Sequence, residues 1–130
     1  MDGVTMAERL RLLHPDCGIV FCTGHAQYAV DAIGRLRVDG YLIKPIDREA
    51  IVAAAKETGH ILTLEEHNLS GGVGSAVAEV LADENAFCHF RRLALPDVNV
   101  SLVGSQDWLR EQYGLGVNAI ADAIVDLARK

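Results

Sequence analysis

Glu65-Glu66-His67 closes an apolar stretch, His60-Ile-Leu-Thr-Leu64. Two carboxylates beside an imidazole are the parts of acid–base chemistry or of a metal site. The carboxyl ends of strands are also where open α/β sheets bind ligands. The bland reading is a polar loop. A few residues on, Gly71-Gly72-Val73-Gly74-Ser75 runs into a helical pattern. Backbone N–H groups at such a helix start can hold an anion. The loop lacks the Lys-Ser/Thr ending of a nucleotide-binding loop, and its simplest reading is a tight turn with close helix packing. Thr23, Lys44 and Asp97 also fall at the carboxyl ends of strand-like runs. With Glu66, His67, Gly71, Gly72 and Gly74 they outline a shallow polar cleft that would take a small anion weakly. Lys44 would find Glu66 or Asp97 as its partner there, in a pair contributing about 0–1 kcal/mol.

Other candidates read as structural. His67, Ser70 and Ser75 form no G-x-S-x-G elbow, so a hydrolase triad has little support. Cys17, Cys22 and Cys88 are odd in number with no C-x-x-C, which suits buried free thiols. His25 and His89 have no ligand-spaced partner. Arg91-Arg92 reads as an exposed strand end, and Trp108 as a packing anchor. No catalytic, cofactor-binding or metal-ligating residue is assigned, and no cofactor is expected.

The elements that must position these groups follow from breakers and periodicity. Thr5 to His14 reads as a helix with Met6, Leu10 and Leu13 on one face, ended by Pro15. Gly18 to Thr23 and Gly40 to Lys44 are short apolar runs that suit buried strands, with a helix at Tyr28 to Leu36 between them. Asp47 to Thr58 is a helix with Asp47 as N-cap and Gly59 at its C′ position. His60 to Glu65 is a strand, and Val73 starts a helix with Val77 and Val80 or Leu81 on its inner face. Cys88 to Leu95 is a strand stopped by Pro96. Val98 to Val103 reads as an edge strand or an extended loop. Ser105 caps a helix that Gly114 stops. Asn118 caps the last helix, whose apolar face is Ile120, Ile124 and Leu127. Strands alternating with helices imply a parallel sheet covered on both faces. The expected fold is a single flavodoxin-like, three-layer α/β/α domain over 1–130, with a sheet of four strands and residues 98–103 as the option for a fifth.

Composition bounds the partners. The chain has 130 residues, enough for a real core, and a formal charge of −6. No long basic run occurs, so nucleic acid is not expected. With no signal peptide or apolar span, the expectation is a soluble, cytoplasmic protein with no membrane partner. A homodimer through an exposed sheet edge or helix face is the candidate assembly.

Two resemblances meet at Lys44-Pro45-Ile46-Asp47. Met1-Asp2-Gly3, Arg9-Leu10-Arg11 with His14-Pro15, Ile19 to Gly24 and Val38 to Pro45 resemble the second half of a response-regulator receiver domain. That resemblance implies that Thr23 and Lys44 once served an aspartyl phosphate, and that the Lys44-Pro45 bond is cis. It also implies that the phosphoryl acceptor and the Mg²⁺-binding acidic pair precede the first residue of this chain. Lys44 to Asp47, Ala53 to Gly59, Leu62 to His67, Gly71 to Glu79, Leu95-Pro96-Asp97 and Trp108 to Gly114 resemble the C-terminal domain of transketolase-type thiamine diphosphate enzymes. In that family the domain supports the dimer, and the cofactor sits between two other domains.

The two pieces, 1–47 and 48–130, fit one sheet in the order second, first, third, fourth strand. A join at a shared Lys-Pro points to an engineered chimera, a recombined scaffold with no catalytic function of its own. The alternatives are a natural fusion or truncated gene product, a fragment that supports dimerisation of a transketolase-like enzyme, and a degenerate receiver used for protein contact.

Overall fold

The computed structural model describes residues 3–23, 40–43, 46–99 and 101–130. The helix expected at Tyr28 to Leu36, His25, Lys44 and the Lys44-Pro45 bond lie outside them. The chain divides into two compact units, Met1–Asp47 and Arg48–Lys130.

The first unit holds α1 (Gly3–Leu13), β1 (Val20–Thr23) and β2 (Gly40–Ile43). Met6, Ala7 and Leu10 are the buried stripe of α1. Leu13, expected on that stripe, is 52% exposed, because the helix ends there and its last turn leaves the core. The Arg11 guanidinium fastens the turn that follows, donating to the carbonyls of Pro15 at 3.0 Å and Cys17 at 2.7 Å. β1 and β2 pair in parallel, from Val20 opposite Gly40 to Thr23 opposite Ile43.

The second unit holds α2 (Arg48–Thr58), β3 (His60–Asn68), α3 (Val73–Asp83), β4 (His89–Leu95), α4 (Gln106–Gln112) and α5 (Val117–Ala128). β3 and β4 pair in parallel, from His60 opposite His89 to Leu64 opposite Leu93. α2 packs on α3 and on β3, while α3 and α5 each touch both strands. The apolar spacing explains this packing. Val77, Val80 and Leu81 make one stripe of α3, and Ile120, Ala123 and Leu127 one stripe of α5, at the i, i+3, i+4 spacing of a helix face. Ile51 and Ala55 of α2, with Ala86 and Leu115, complete the core. Gly59 ends α2 in the left-handed region expected of a C′ glycine (φ +69°), and its N–H reaches the Ala55 carbonyl at 2.9 Å.

Several boundaries differ from the sequence reading. β3 runs three residues past Glu65, so Glu66, His67 and Asn68 belong to the strand and not to a loop after it. Leu64 stands opposite Leu93 and Asn68 opposite Leu95, so three residues of β3 face Ala94 alone, an irregular bulge. Among the described residues of 98–103 there is no strand. The Val98 N–H turns back to the Pro96 carbonyl, and Val103 is 95% exposed, so the segment has neither a ladder partner nor cover. The last helix starts at Val117 with Gly116 as N-cap, not Asn118. A Cβ on Gly116 would come 2.2 Å from a Glu111 carboxylate oxygen, so any side chain there would push that carboxylate aside. Ser105 caps α4 as expected, accepting from the Trp108 N–H at 3.3 Å. Trp108 itself is 43% exposed, lying over Gly104 instead of anchoring the core. All three cysteines are half-buried and outside any disulfide, and burial pushes the Cys88 thiol up. No helix among the described residues is long and apolar enough to cross a membrane.

Candidate functional site

The polar groups singled out in the second unit gather where β3 and β4 end and α3 begins. The geometry starts with the bulge. Strand alternation puts Thr63 and Glu65 on one face of β3, toward α3. From there the Glu65 carboxylate reaches the first turn of α3. One oxygen accepts from the Val73 N–H at 2.7 Å and the other from the Gly74 N–H at 2.9 Å. The first N–H groups of any helix lack intrahelical partners, and the helix dipole favours negative charge there. Glu65 meets both demands. Gly72 makes this possible, since a Cβ on it would lie 1.9 Å from a Glu65 carboxylate oxygen.

A second set of contacts ties the loop down. The Ser75 hydroxyl accepts from the Gly71 N–H at 3.1 Å and donates to the Leu69 carbonyl at 3.1 Å. Arg92 donates to the same carbonyl and the same hydroxyl, each at 3.3 Å. By sequence Arg92 stands at an exposed strand end. It is half-buried instead, because Gly74 leaves room for the arginine stem: a Cβ there would come 2.8 Å from Arg92 Cδ. Ser70 donates its N–H at 3.2 Å and its hydroxyl at 2.5 Å to the two oxygens of Asp97. The Ser70 hydroxyl, then its amide, hold the Asp97 carboxyl below the usual range.

Glu66 points elsewhere. It pairs with Arg110 of α4 and accepts from Gln106 at 3.0 Å. Arg110, whose side chain is 12% exposed, also reaches Asp107 at 3.1 Å. The Arg110 guanidinium holds the Glu66 carboxyl below its ordinary value. A carboxylate lowered in the folded state contributes stability above its unfolded value, about 4.3 for Glu. That stability is lost as pH falls through the lowered folded value. Arg110→Ala should therefore cost about 1 kcal/mol at neutral pH, near the upper end for partly exposed pairs. The difference between variant and parent should shrink below pH 4. Urea midpoints measured across pH 3 to 7 check this, and a cost that does not change with pH would show that Arg110 acts by packing alone.

The residues of the expected cleft belong to both units. Gly71, Gly72, Gly74, Glu66, His67 and Asp97 do lie at one edge of the second unit. His67 is exposed, with its Nδ1 on the Asn68 carbonyl at 2.9 Å. Thr23 ends β1 of the other unit, and Lys44 lies outside the described residues. The partners expected for Lys44 are engaged differently: Glu66 by Arg110 and Gln106, and Asp97 by Ser70. The Val73 and Gly74 amides, expected to face a free anion, carry Glu65. Glycine spacing alone does not mark Glu65 as the ligand of its own loop. The signal available was its parity with Thr63, which puts it on the face toward the glycine loop. Among the described residues no group of three or more His, Cys, Asp or Glu side chains is placed to hold a metal. A surface groove is lined by Arg48, Val52 and Lys56 of α2 and by Glu84.

The parallel βαβ unit, with a helix start after its glycine loop capped by a glutamate of its own strand, defines an α/β module. Residues 33–120 match the family model of the transketolase C-terminal domain, and the chain belongs to that family. It is 45% identical over 91 residues to 1-deoxy-D-xylulose-5-phosphate synthase of Heliobacterium modesticaldum, covering 70% of this chain and 14% of that protein. It is 41% identical over 86 residues to one of the subunits of the apulose-4-phosphate transketolase of Actinobacillus succinogenes, covering 66% of this chain and 26% of the relative. The synthase of Syntrophomonas wolfei is 30% identical over 142 residues, reaching 95% of this chain and 22% of its own length. Among solved structures, a split-gene transketolase described as an inactive beta4 tetramer is similar with a TM-score of 0.56 and 30% identity, over 85% of this chain and 38% of that one. The chain therefore spans about a quarter or less of the curated relatives it matches. The family match starts at residue 33, so the transketolase-type likeness begins before the Lys44-Pro45 join, inside the stretch read as receiver-like.

Proposed function

We infer that this chain performs no catalytic step by itself and acts as the C-terminal, assembly-supporting domain of a transketolase-like thiamine diphosphate enzyme. The observation that carries this is the internal use of its acidic groups. Glu65, Glu66 and Asp97, the carboxylates at the ligand-binding edge, are each held by neighbours in the same chain. A carboxylate whose oxygens are already engaged by a helix start, an arginine or a hydroxyl is not free to take a proton from a substrate. Two relatives support the assembly role: one is a component of a transketolase built from separate chains, and one forms a tetramer described as inactive. The flavodoxin-like arrangement with all strands in one sheet belongs to the same proposal, as do a soluble cytoplasmic setting and self-association. The purified chain, supplied with thiamine diphosphate, Mg²⁺ and ketose phosphates, should show no ketol transfer. It should elute as a homo-oligomer. Turnover by the chain alone overturns the reading.

A recombined origin is the second reading, with a receiver-like 1–47 joined, by design or naturally, to 48–130. The observation favouring it is the boundary of the compact units at Asp47–Arg48, at the join the sequence suggests. The family match from residue 33 weighs against it. Limited proteolysis is the check. First cleavage near Lys44 to Arg48, leaving a resistant C-terminal piece, supports the join, and first cleavage inside 48–130 removes that support.

A further inference from the structure

The first amides of α3 hold a carboxylate that the chain itself supplies. We propose that the Gly72–Gly74 turn is a carboxylate-binding site whose native occupant is the tethered side chain of Glu65, and that without Glu65 the site takes a free monocarboxylate such as acetate. The two oxygens of Glu65 are divided between two amides, Val73 at 2.7 Å and Gly74 at 2.9 Å. Gly72 supplies the space: a Cβ there would stand 1.9 Å, 2.6 Å and 2.8 Å from Oε2, Cδ and Oε1 of the carboxylate. The room left by one hydrogen atom in place of a methyl is the room the anion uses.

A helix start alone would not make this a site. The independent observation is Thr63, one pleat deeper on the same face of β3. It is only 7% exposed, and its hydroxyl has no hydrogen-bond partner among the described residues. That hydroxyl lies under the turn, 2.8 Å from where a Cβ on Gly74 would stand. An unpartnered buried hydroxyl costs free energy unless something polar reaches it. In this proposal a free carboxylate, not bound to the strand, is the polar group that would reach it. The bulge explains why Glu65 is a ligand and not an edge residue, since Glu65, Glu66 and His67 are released from regular pairing with β4.

A tethered ligand has a high effective concentration, so dissolved acetate should not displace Glu65 from the parent chain. Glu65→Ala should lower the folding equilibrium constant roughly tenfold, as the loss of a good cap does. Sodium acetate, against sodium chloride at equal ionic strength, should then recover most of that factor, because a ligand that binds only the folded state stabilises it by mass action. The double variant Glu65→Ala/Gly72→Ala is the discriminating control. Its new methyl group fills the carboxylate's place, so acetate should do no more for it than chloride does. In ¹H–¹⁵N spectra of Glu65→Ala, acetate should move the Val73 and Gly74 amide signals, and in the parent chain it should not. The readout is the folded fraction, so a largely unfolded Glu65→Ala is still informative, since acetate must refold it. Absence of an acetate-specific effect on Glu65→Ala, or an equal effect on the double variant or the parent, overturns the proposal.

Discussion

Ile120→Ala should lower the unfolding free energy by about 2–5 kcal/mol, the largest loss expected from a single truncation among the described residues. Ile120 has no exposed surface, and it is the largest side chain so fully buried among the described residues. It stands in the first turn of α5, the helix that touches both β3 and β4. Truncation removes three carbons' worth of burial at roughly 0.8 kcal/mol each. A cavity term adds to this, because Ala123 and Leu127 below it sit on a rigid helix and cannot fill the space by moving alone. Ile120→Val removes one carbon and should cost about 0.5–1.5 kcal/mol. Urea unfolding followed by circular dichroism checks both. The midpoint should fall in that order while the slope stays constant, since the surface exposed on unfolding hardly changes. An Ile120→Ala loss no larger than that of Ile120→Val would mean that the α5 contact is loose and that the helix is docked by its other residues.

The elements were legible in the sequence where the apolar period was strong and punctuation was clear. α2 and α3 stand within a residue or so of their expected limits, because Asp47, Gly59 and the Gly71 to Gly74 loop are local signals. β3 was read short. Glu65 and Glu66 look like strand terminators by propensity, but a parallel ladder bears charged residues at its end when tertiary contacts engage them, and here a helix start and Arg110 do so. Val98 to Val103 reads as either an edge strand or an extended loop, and its described residues take the second form, because alternation provides no partner to pair with. The site was legible as a place and misread in its wiring. Glycine spacing pointed to amides able to hold an anion. It did not reveal that the anion stands on the adjacent strand, since that depends on a bulge fixed by the register with β4. Arg110 to Glu66 spans 44 residues and Asp97 to Ser70 spans 27, beyond any local pattern.

Gly74→Ala should destabilise the fold by about 1–3 kcal/mol, although the substitution lies in a helix and alanine is the better helix former. Propensity alone predicts a gain of up to about 1 kcal/mol, and less in the first turn. Packing decides against it. The added Cβ would meet Thr63 Oγ1 and Arg92 Cδ at 2.8 Å each, and Arg92 Cγ at 3.0 Å, on a residue that is buried. Arg92 has a flexible stem, but moving it strains its bonds to the Leu69 carbonyl and the Ser75 hydroxyl, which tie down the loop. Thr63 is short, β-branched and enclosed, so its hydroxyl has few other places to go. The clash with Thr63 can be removed separately. Thr63→Ala deletes a hydroxyl with no partner among the described residues, so it forfeits little hydrogen bonding. In the Gly74→Ala background it should restore about half of the loss, leaving the Arg92 contact as the remainder. A double-mutant cycle by urea unfolding should therefore show a coupling of about 0.5–1.5 kcal/mol, in the range found for residues in direct contact. Strict additivity would place the helix further from β3 than the geometry here does, and a net gain from Gly74→Ala would mean that propensity outweighs packing at this turn.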